Sequence, residues 1–183
     1  LVRGGVAAVP MRGGVAMAGG LVIAGEIDGT VLGLDAGTGA VRWRHALAPG
    51  VSEQVRGWLY GPPAADGGDV LVGVQSELDD LDATTGLPRW TATPVAKPTA
   101  YTQSLAAIAL GGGLAIGELD RSVGGLIAWD RATGAERWRI DNSSAIAIEA
   151  SPVGANGSVF VENAAAQVLA LGLDGGSRWQ VNL

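Results

Sequence analysis

An Arg-Trp pair closes four similar stretches of this chain, and the four Trp stand at positions 43, 90, 138 and 179. The stretches read GLDAGTGAVRW from Gly33, DLDATTGLPRW from Asp80, AWDRATGAERW from Ala128 and, more weakly, ALGLDGGSRW from Ala170. Upstream of each lies a turn signal set in an apolar run: Gly19-Gly20, Gly67-Gly68, Gly111 to Gly113, and Asn156-Gly157. The Trp are 47, 48 and 41 residues apart. Self-similarity at such a period over nearly the whole chain implies stacked supersecondary units, because one unit of that size cannot bury its own apolar faces.

Within a unit, alternation and turn residues mark the strands. In the first unit Val15 to Ala18, Leu21 to Ile27 and Thr30 to Asp35 read as strands, joined at Gly19-Gly20 and at the hairpin signal Asp28-Gly29. A turn over Ala36 to Ala40 leads to a fourth strand, where Val41, Trp43, His45 and Leu47 fall on one face and Arg42 and Arg44 on the other. Each unit is thus a four-stranded antiparallel meander. No segment sustains a helical period, and the Ala run 164 to 166 reads as a hairpin. Strands such as Leu21-Val22-Ile23-Ala24 are apolar on both sides, so sheet must pack on sheet. Four-stranded units of this length with a recurring Trp predict an all-β fold, a β-propeller with four blades at about 13–47, 58–93, 104–141 and 148–183 in a single domain, 1–183. A β-sandwich gives no reason for the Trp spacing.

Composition narrows the function classes. With 12 basic and 18 acidic residues the net charge is −6, the wrong sign for neutralising nucleic-acid phosphates. The chain has no Cys, which removes disulfides, thiolate metal sites and thiol catalysis. The uncharged stretch 98–117 has the length of a membrane span, but Pro98, Gln103 and Gly111 to Gly113 break it into two strands and a turn. Residue 1 is Leu and no basic segment leads into an apolar one, so no signal peptide is expected here.

The repeat resembles the quinoprotein-like propellers, whose blades carry Ala-x-Asp-x-x-Thr-Gly-x-x-x-Trp. Asp35, Thr38, Gly39 and Trp43 match in the first unit, with Gly33 at the Ala position. Asp82, Thr85, Gly86 and Trp90 match in the second, with Asp80 at the Ala position. Ala128, Asp130, Thr133, Gly134 and Trp138 complete the pattern in the third. The fourth keeps Ala170 and Trp179 but has Gly172 for Asp and a turn one residue shorter. The resemblance implies a structural role for these residues: Asp and Thr cap a tight turn, Gly supplies a positive φ, and the turn aims Trp at the neighbouring blade. Relatives of this kind have six to eight blades, so four would be half of a larger propeller whose other half is missing from this chain, supplied by a second copy or removed; a two-fold homodimer closing an eight-bladed ring is geometrically natural.

Quinone-dependent dehydrogenases share the resemblance, which would imply an oxidoreductase. Such enzymes place a vicinal Cys pair against the cofactor, and there is no Cys here. The acidic run Glu77, Asp79, Asp80 and Asp82 offers carboxylates that could share calcium, but it reads as a solvated hairpin edge plus the turn Asp. His45, the one His, reads as a packed or rim residue. Ser104 and Ser151 have no His base near in sequence and no nucleophile elbow. Asn142 and Asn156 satisfy the glycosylation pattern only formally. No catalytic residue, cofactor or metal is therefore expected. Trp58 and Tyr60, in the longest insertion, and Tyr101, in the corresponding connection before the third unit, are the candidate partner-binding residues. The sequence points to a non-catalytic module that binds or scaffolds a protein or peptide, as in the extracytoplasmic relatives it resembles, with a periplasmic setting. A dehydrogenase fragment and a self-assembling half-propeller are the alternatives.

Overall fold

The computed structural model describes residues 14–50, 59, 61–74, 77–94, 105–119, 125–141, 151–163 and 165–183. They form sixteen strands and, among the described residues, no helix. The first sheet holds β1 (Val15–Ala18), β2 (Leu21–Gly25), β3 (Thr30–Asp35) and β4 (Val41–Ala46). The second holds β5 (Ala64–Asp66), β6 (Asp69–Gly73), β7 (Leu78–Asp82) and β8 (Pro88–Ala92). The third holds β9 (Leu105–Gly111), β10 (Leu114–Leu119), β11 (Gly125–Asp130) and β12 (Glu136–Asp141). The fourth holds β13 (Val153–Ala155), β14 (Ser158–Asn163), β15 (Gln167–Gly172) and β16 (Ser177–Asn182). Each sheet is an antiparallel meander with its strands in chain order. The architecture is an all-β, four-bladed propeller-like fold.

The first hairpin of each blade follows from its turn residues. Gly19-Gly20, Gly112-Gly113 and Asn156-Gly157 all take positive φ, from 51° to 78°, at both central positions. That is the twist-matched two-residue turn, and only Gly and Asn enter it cheaply. The Ala run also turns the chain: Ala166 has φ 55° between β14 and β15. Strand β2 is shorter than the alternation implies, ending at Gly25 rather than Ile27. Glu26 N donates to Thr30 O at 2.7 Å and the Asp28 carboxylate accepts from Thr30 N at 2.9 Å, so residues 26–29 are spent on the turn.

Every outer strand carries an irregularity that the alternation hides. Gly33 pairs with Trp43 but Leu34 with Val41, so Arg42 is an extra residue in β4. Arg89, Arg137 and Arg178 are skipped in the same way in β8, β12 and β16. A bulge before the Trp breaks the period-two face. Val41 is consequently exposed while Trp43 and Leu47 are buried, so the single face that the alternation gives Val41, Trp43 and Leu47 is broken at the bulge.

The core lies between blades. One apolar cluster joins the first and second sheets through Ile23, Val31, Trp43, Val70, Val72 and Leu81. Another joins the second and third through Leu71, Trp90, Leu105, Ala115, Ile127 and Trp129. The last joins the third and fourth through Ile116, Ala128, Trp138, Val159, Leu169 and Leu171. Each large side chain removed from water in such a seam contributes about 1.5–3 kcal/mol. The inner strands pack in the order β1, β5, β9, β13, and among the described residues no comparable packing joins β13 back to β1. As described, the four blades form an open arc.

Candidate functional site

The repeated turn is built around one carboxylate. In the first blade Asp35 Oδ1 accepts from Gly37 N at 3.1 Å, Thr38 N at 2.9 Å and Thr38 Oγ1 at 2.8 Å. Its Oδ2 accepts from the Arg42 guanidinium at 2.7 Å. These bonds, Arg42 first and Thr38 second, hold the Asp35 carboxyl down at about 2. Asp82 repeats the arrangement with Thr84 N, Thr85 N, Thr85 Oγ1 and Arg89, and Asp130 with Ala132 N, Thr133 N, Thr133 Oγ1 and Arg137. The Arg137 guanidinium likewise lowers the pKa of Asp130, with Thr133 next. The Arg role is not evident from the turn pattern alone, although its recurrence before Trp43, Trp90, Trp138 and Trp179 is the available signal. The bulge turns that Arg back toward the Asp seven residues earlier.

In the fourth blade the turn is rebuilt without the carboxylate. Gly172 N donates to Gly176 O at 2.7 Å, and Asp174 Oδ1 accepts from Gly176 N at 3.0 Å. Arg178, lacking its Asp, donates to Ser158 Oγ at 2.6 Å.

Each turn presents a socket to the preceding blade. Trp43 Nε1 donates to Ala83 O at 3.0 Å, Trp90 Nε1 to Arg131 O at 2.8 Å, and Trp138 Nε1 to Leu173 O at 2.8 Å. A Cβ on Gly86 would stand 2.5 Å from the Trp43 ring, one on Gly134 2.6 Å from Trp90, and one on Gly175 2.9 Å from Trp138. The Gly thus serves twice, giving a φ of 69° to 82° and leaving the indole room. Arg131 adds a clamp across the second seam: it donates to Asp66 Oδ2 at 2.5 Å and Asp69 Oδ2 at 2.9 Å, while Arg89 pairs with Asp69 and Asp82.

The acidic run is not a solvated edge. Asp79 and Asp80 are both 2% exposed, on opposite faces of β7, and Oδ1 of each lacks a hydrogen-bond partner among the described residues. They are buried because β7 is the third strand of an inner blade, packed on both sides. Asp79 turns toward the first blade, where its Oδ2 lies 2.6 Å from His45 Nε2. Glu77 Oε1 accepts from Ala48 N at 2.5 Å, in a bend where Ala48 has φ 44°. His45, Glu77 and Asp79 therefore meet between blades, with donor atoms within 4.8 Å of one another. The acidic run already grouped Glu77 with Asp79 in the sequence, but nothing there brought His45 to them. An imidazole with two carboxylates is a donor set for a divalent cation, and here the same atoms tie one blade to the next.

Asp80 sits in the Ala position of the repeat, paired in register with Trp90 as Ala128 is with Trp138. Burial pushes its carboxyl up to about 6, the neighbouring Asp82 charge adds to this, and Arg131 and a Val70 backbone hydrogen bond oppose it. The folded state therefore holds the Asp80 proton more tightly than the unfolded chain does. This contribution to stability falls as pH rises from about 4 to about 6. Asp80→Ala should flatten that part of the profile and raise stability at pH 7.5 by about 1–3 kcal/mol, the penalty of an unpaired buried acceptor. Urea titrations at pH 4.5 and 7.5 measure both effects, and an unchanged or lower stability at pH 7.5 counts against this account.

Trp58, Tyr60 and Tyr101, the aromatic residues singled out for binding, and Ser104 and Asn142 lie outside the described residues. Leu59, between the first two, is buried, and its N–H donates to Ile27 O at 3.3 Å. Ser151 is exposed, and Asn156 forms the hairpin turn.

Known folds agree with this architecture. Quinohemoprotein alcohol dehydrogenase from Comamonas testosteroni superposes with a TM-score of 0.70 at 16% identity, over 94% of this chain and 35% of that one. A europium-containing methanol dehydrogenase gives 0.68 at 13% identity, over 94% and 42%. BamB from Moraxella catarrhalis matches at 24% identity over 92% and 63%, with a TM-score of 0.49. The chain thus spans between a third and a half of the length of these dehydrogenases. No curated protein sequence matches it. The family described as outer membrane protein assembly factor BamB matches residues 4–123 and 121–183. With four blades built on one repeated turn and that match running through nearly every residue, the chain belongs to this family of PQQ-like-repeat β-propellers.

Proposed function

We propose that the chain is a non-catalytic propeller module of the bacterial cell envelope that binds or scaffolds a protein or peptide. The observation that carries this reading is the match to the assembly-factor family through nearly the whole chain. The engagement of the repeat residues supports it. Asp, Thr, Gly, Arg and Trp of the first three motifs are occupied in capping turns and joining blades, which is structural work. Trp58, Tyr60 and Tyr101 are the residues proposed to anchor the partner, on loops between blades. An extended peptide of alternating apolar and polar residues, the pattern of an outer-membrane strand, suits both a blade edge and such a loop face.

The test uses a fluorescently labelled peptide of that alternating pattern and a scrambled control. Anisotropy should report selective binding, weakened about tenfold or more by Trp58→Ala or Tyr60→Ala with thermal stability unchanged. Absence of selective binding would overturn the reading. So would dye reduction by the chain supplied with pyrroloquinoline quinone and calcium, which the dehydrogenase alternative requires.

A second reading, a half-propeller that assembles with itself into a homodimer, is favoured by the open arc and the apolar residues at its two ends.

A further inference from the structure

The seam between the first and second blades holds a set of ligand atoms on firm supports. His45 lies on β4, in register with Val31, and Asp79 on β7, in register with Val72 and Thr91. Glu77 precedes β7 in a turn that Val74 N closes by donating to Glu77 O at 2.8 Å. Strands of two sheets and a bonded turn thus present one imidazole and two carboxylates, with donor atoms within 4.8 Å of one another. These donors are largely withdrawn from water: the side chain of Asp79 is 3% exposed, that of His45 16%, and Glu77 is half-buried.

The two carboxylates are incompletely used. An ionised carboxylate can accept at about four lone-pair sites. Asp79 has His45 Nε2 at 2.6 Å from Oδ2, while its buried Oδ1 has no hydrogen-bond partner among the described residues. Glu77 accepts from Ala48 N at Oε1, and among the described residues no hydrogen bond uses its Oε2. Among the described residues, too, no Arg or Lys pairs with either group, whereas Asp35, Asp82 and Asp130 each have an Arg. A buried carboxylate that is half satisfied and faces a second one is electrostatically unfavourable, and a cation between them removes that cost.

We propose that His45, Glu77 and Asp79 bind a divalent transition-metal ion of the Zn2+ class, which fastens the first blade to the second. The ligand types choose the metal. Ca2+ and Mg2+ take shells of oxygen, whereas an imidazole with two carboxylates suits Zn2+ and its transition-metal neighbours. Two carboxylates balance the dication, and His45 binds through one ring nitrogen while its proton stays on the other. Bonds of about 2.0–2.2 Å to a shared ion set tetrahedral ligands about 3.4 Å apart, so side-chain shifts of about 1 Å close the set. Three protein ligands leave a fourth position for water. The clamp does not depend on what the propeller binds.

The test uses the whole chain, without a polyhistidine tag and first stripped with a chelator. The chain has one His, so the ring of His45 gives its only imidazole signals in proton NMR. One equivalent of Zn2+ should move those signals, and calorimetric titration should find one site per chain. Zn2+ at about a hundred times its Kd should raise the melting temperature by about 5 °C or more, and Mg2+ and Ca2+ should not. His45→Gln and Asp79→Asn should each weaken Zn2+ binding about tenfold or more. The imidazole signals of the unaltered chain decide the matter even where a variant fails to fold. No binding at about 0.1 mM Zn2+ overturns the proposal. So do imidazole signals that Zn2+ leaves unmoved, affinity unchanged in both variants, or equal stabilisation by Ca2+.

Discussion

Trp43→Ala should lower the stability of the chain by about 3–5 kcal/mol, the cost of emptying a buried aromatic site. Trp43 is 8% exposed, packs in the first seam among Ile23, Val70 and Leu81, and donates to Ala83 O. Truncation removes the apolar area, opens a cavity between two sheets, and leaves a seam carbonyl unpaired. Trp179→Ala makes the same chemical change at the same repeat position. It should cost the single chain less than about 1 kcal/mol, because a side chain 47% exposed has little burial to lose. Urea unfolding of the two variants at low protein concentration measures the difference. Equal effects would mean that the seams do not carry the stability, and that the Trp act chiefly within their own blades.

The second large effect separates two glycines that the sequence cannot tell apart. Gly39 and Gly86 close the same turn and have nearly the same φ, 72° and 69°. Alanine at either must enter the left-handed region, at about 1–2 kcal/mol. At Gly86 the new Cβ also meets the Trp43 ring at 2.5 Å, and shifting a packed indole adds about 1–3 kcal/mol of overpacking. Gly86→Ala should therefore lose roughly twice as much stability as Gly39→Ala, or more. Comparing the urea midpoints of the two variants measures the difference. Equal losses would count against a packed indole at Gly86.

Four units, their hairpins and their Trp were legible in the sequence because each depends on residues close together. Gly19-Gly20 and Asn156-Gly157 set a turn by their own φ preferences. Asp35, Thr38 and Gly39 cap one another within five residues. Such signals repeat in register, and the repetition itself implies stacking. Tertiary structure alone decided the rest. Arg42 reaches Asp35 because a bulge at its own position breaks the alternation from which faces are read. His45 meets Asp79 across 34 residues, and Arg131 meets Asp66 across 65, pairings that no local pattern encodes. Asp79 and Asp80 look like a hydrated edge as letters, yet they lie on the third strand of a blade packed on both faces. Their burial is set by which sheets stand on either side. The same reason divides the four Trp: one motif places them all, but only the presence of a next blade makes a Trp part of the core, and Trp179 has none among the described residues.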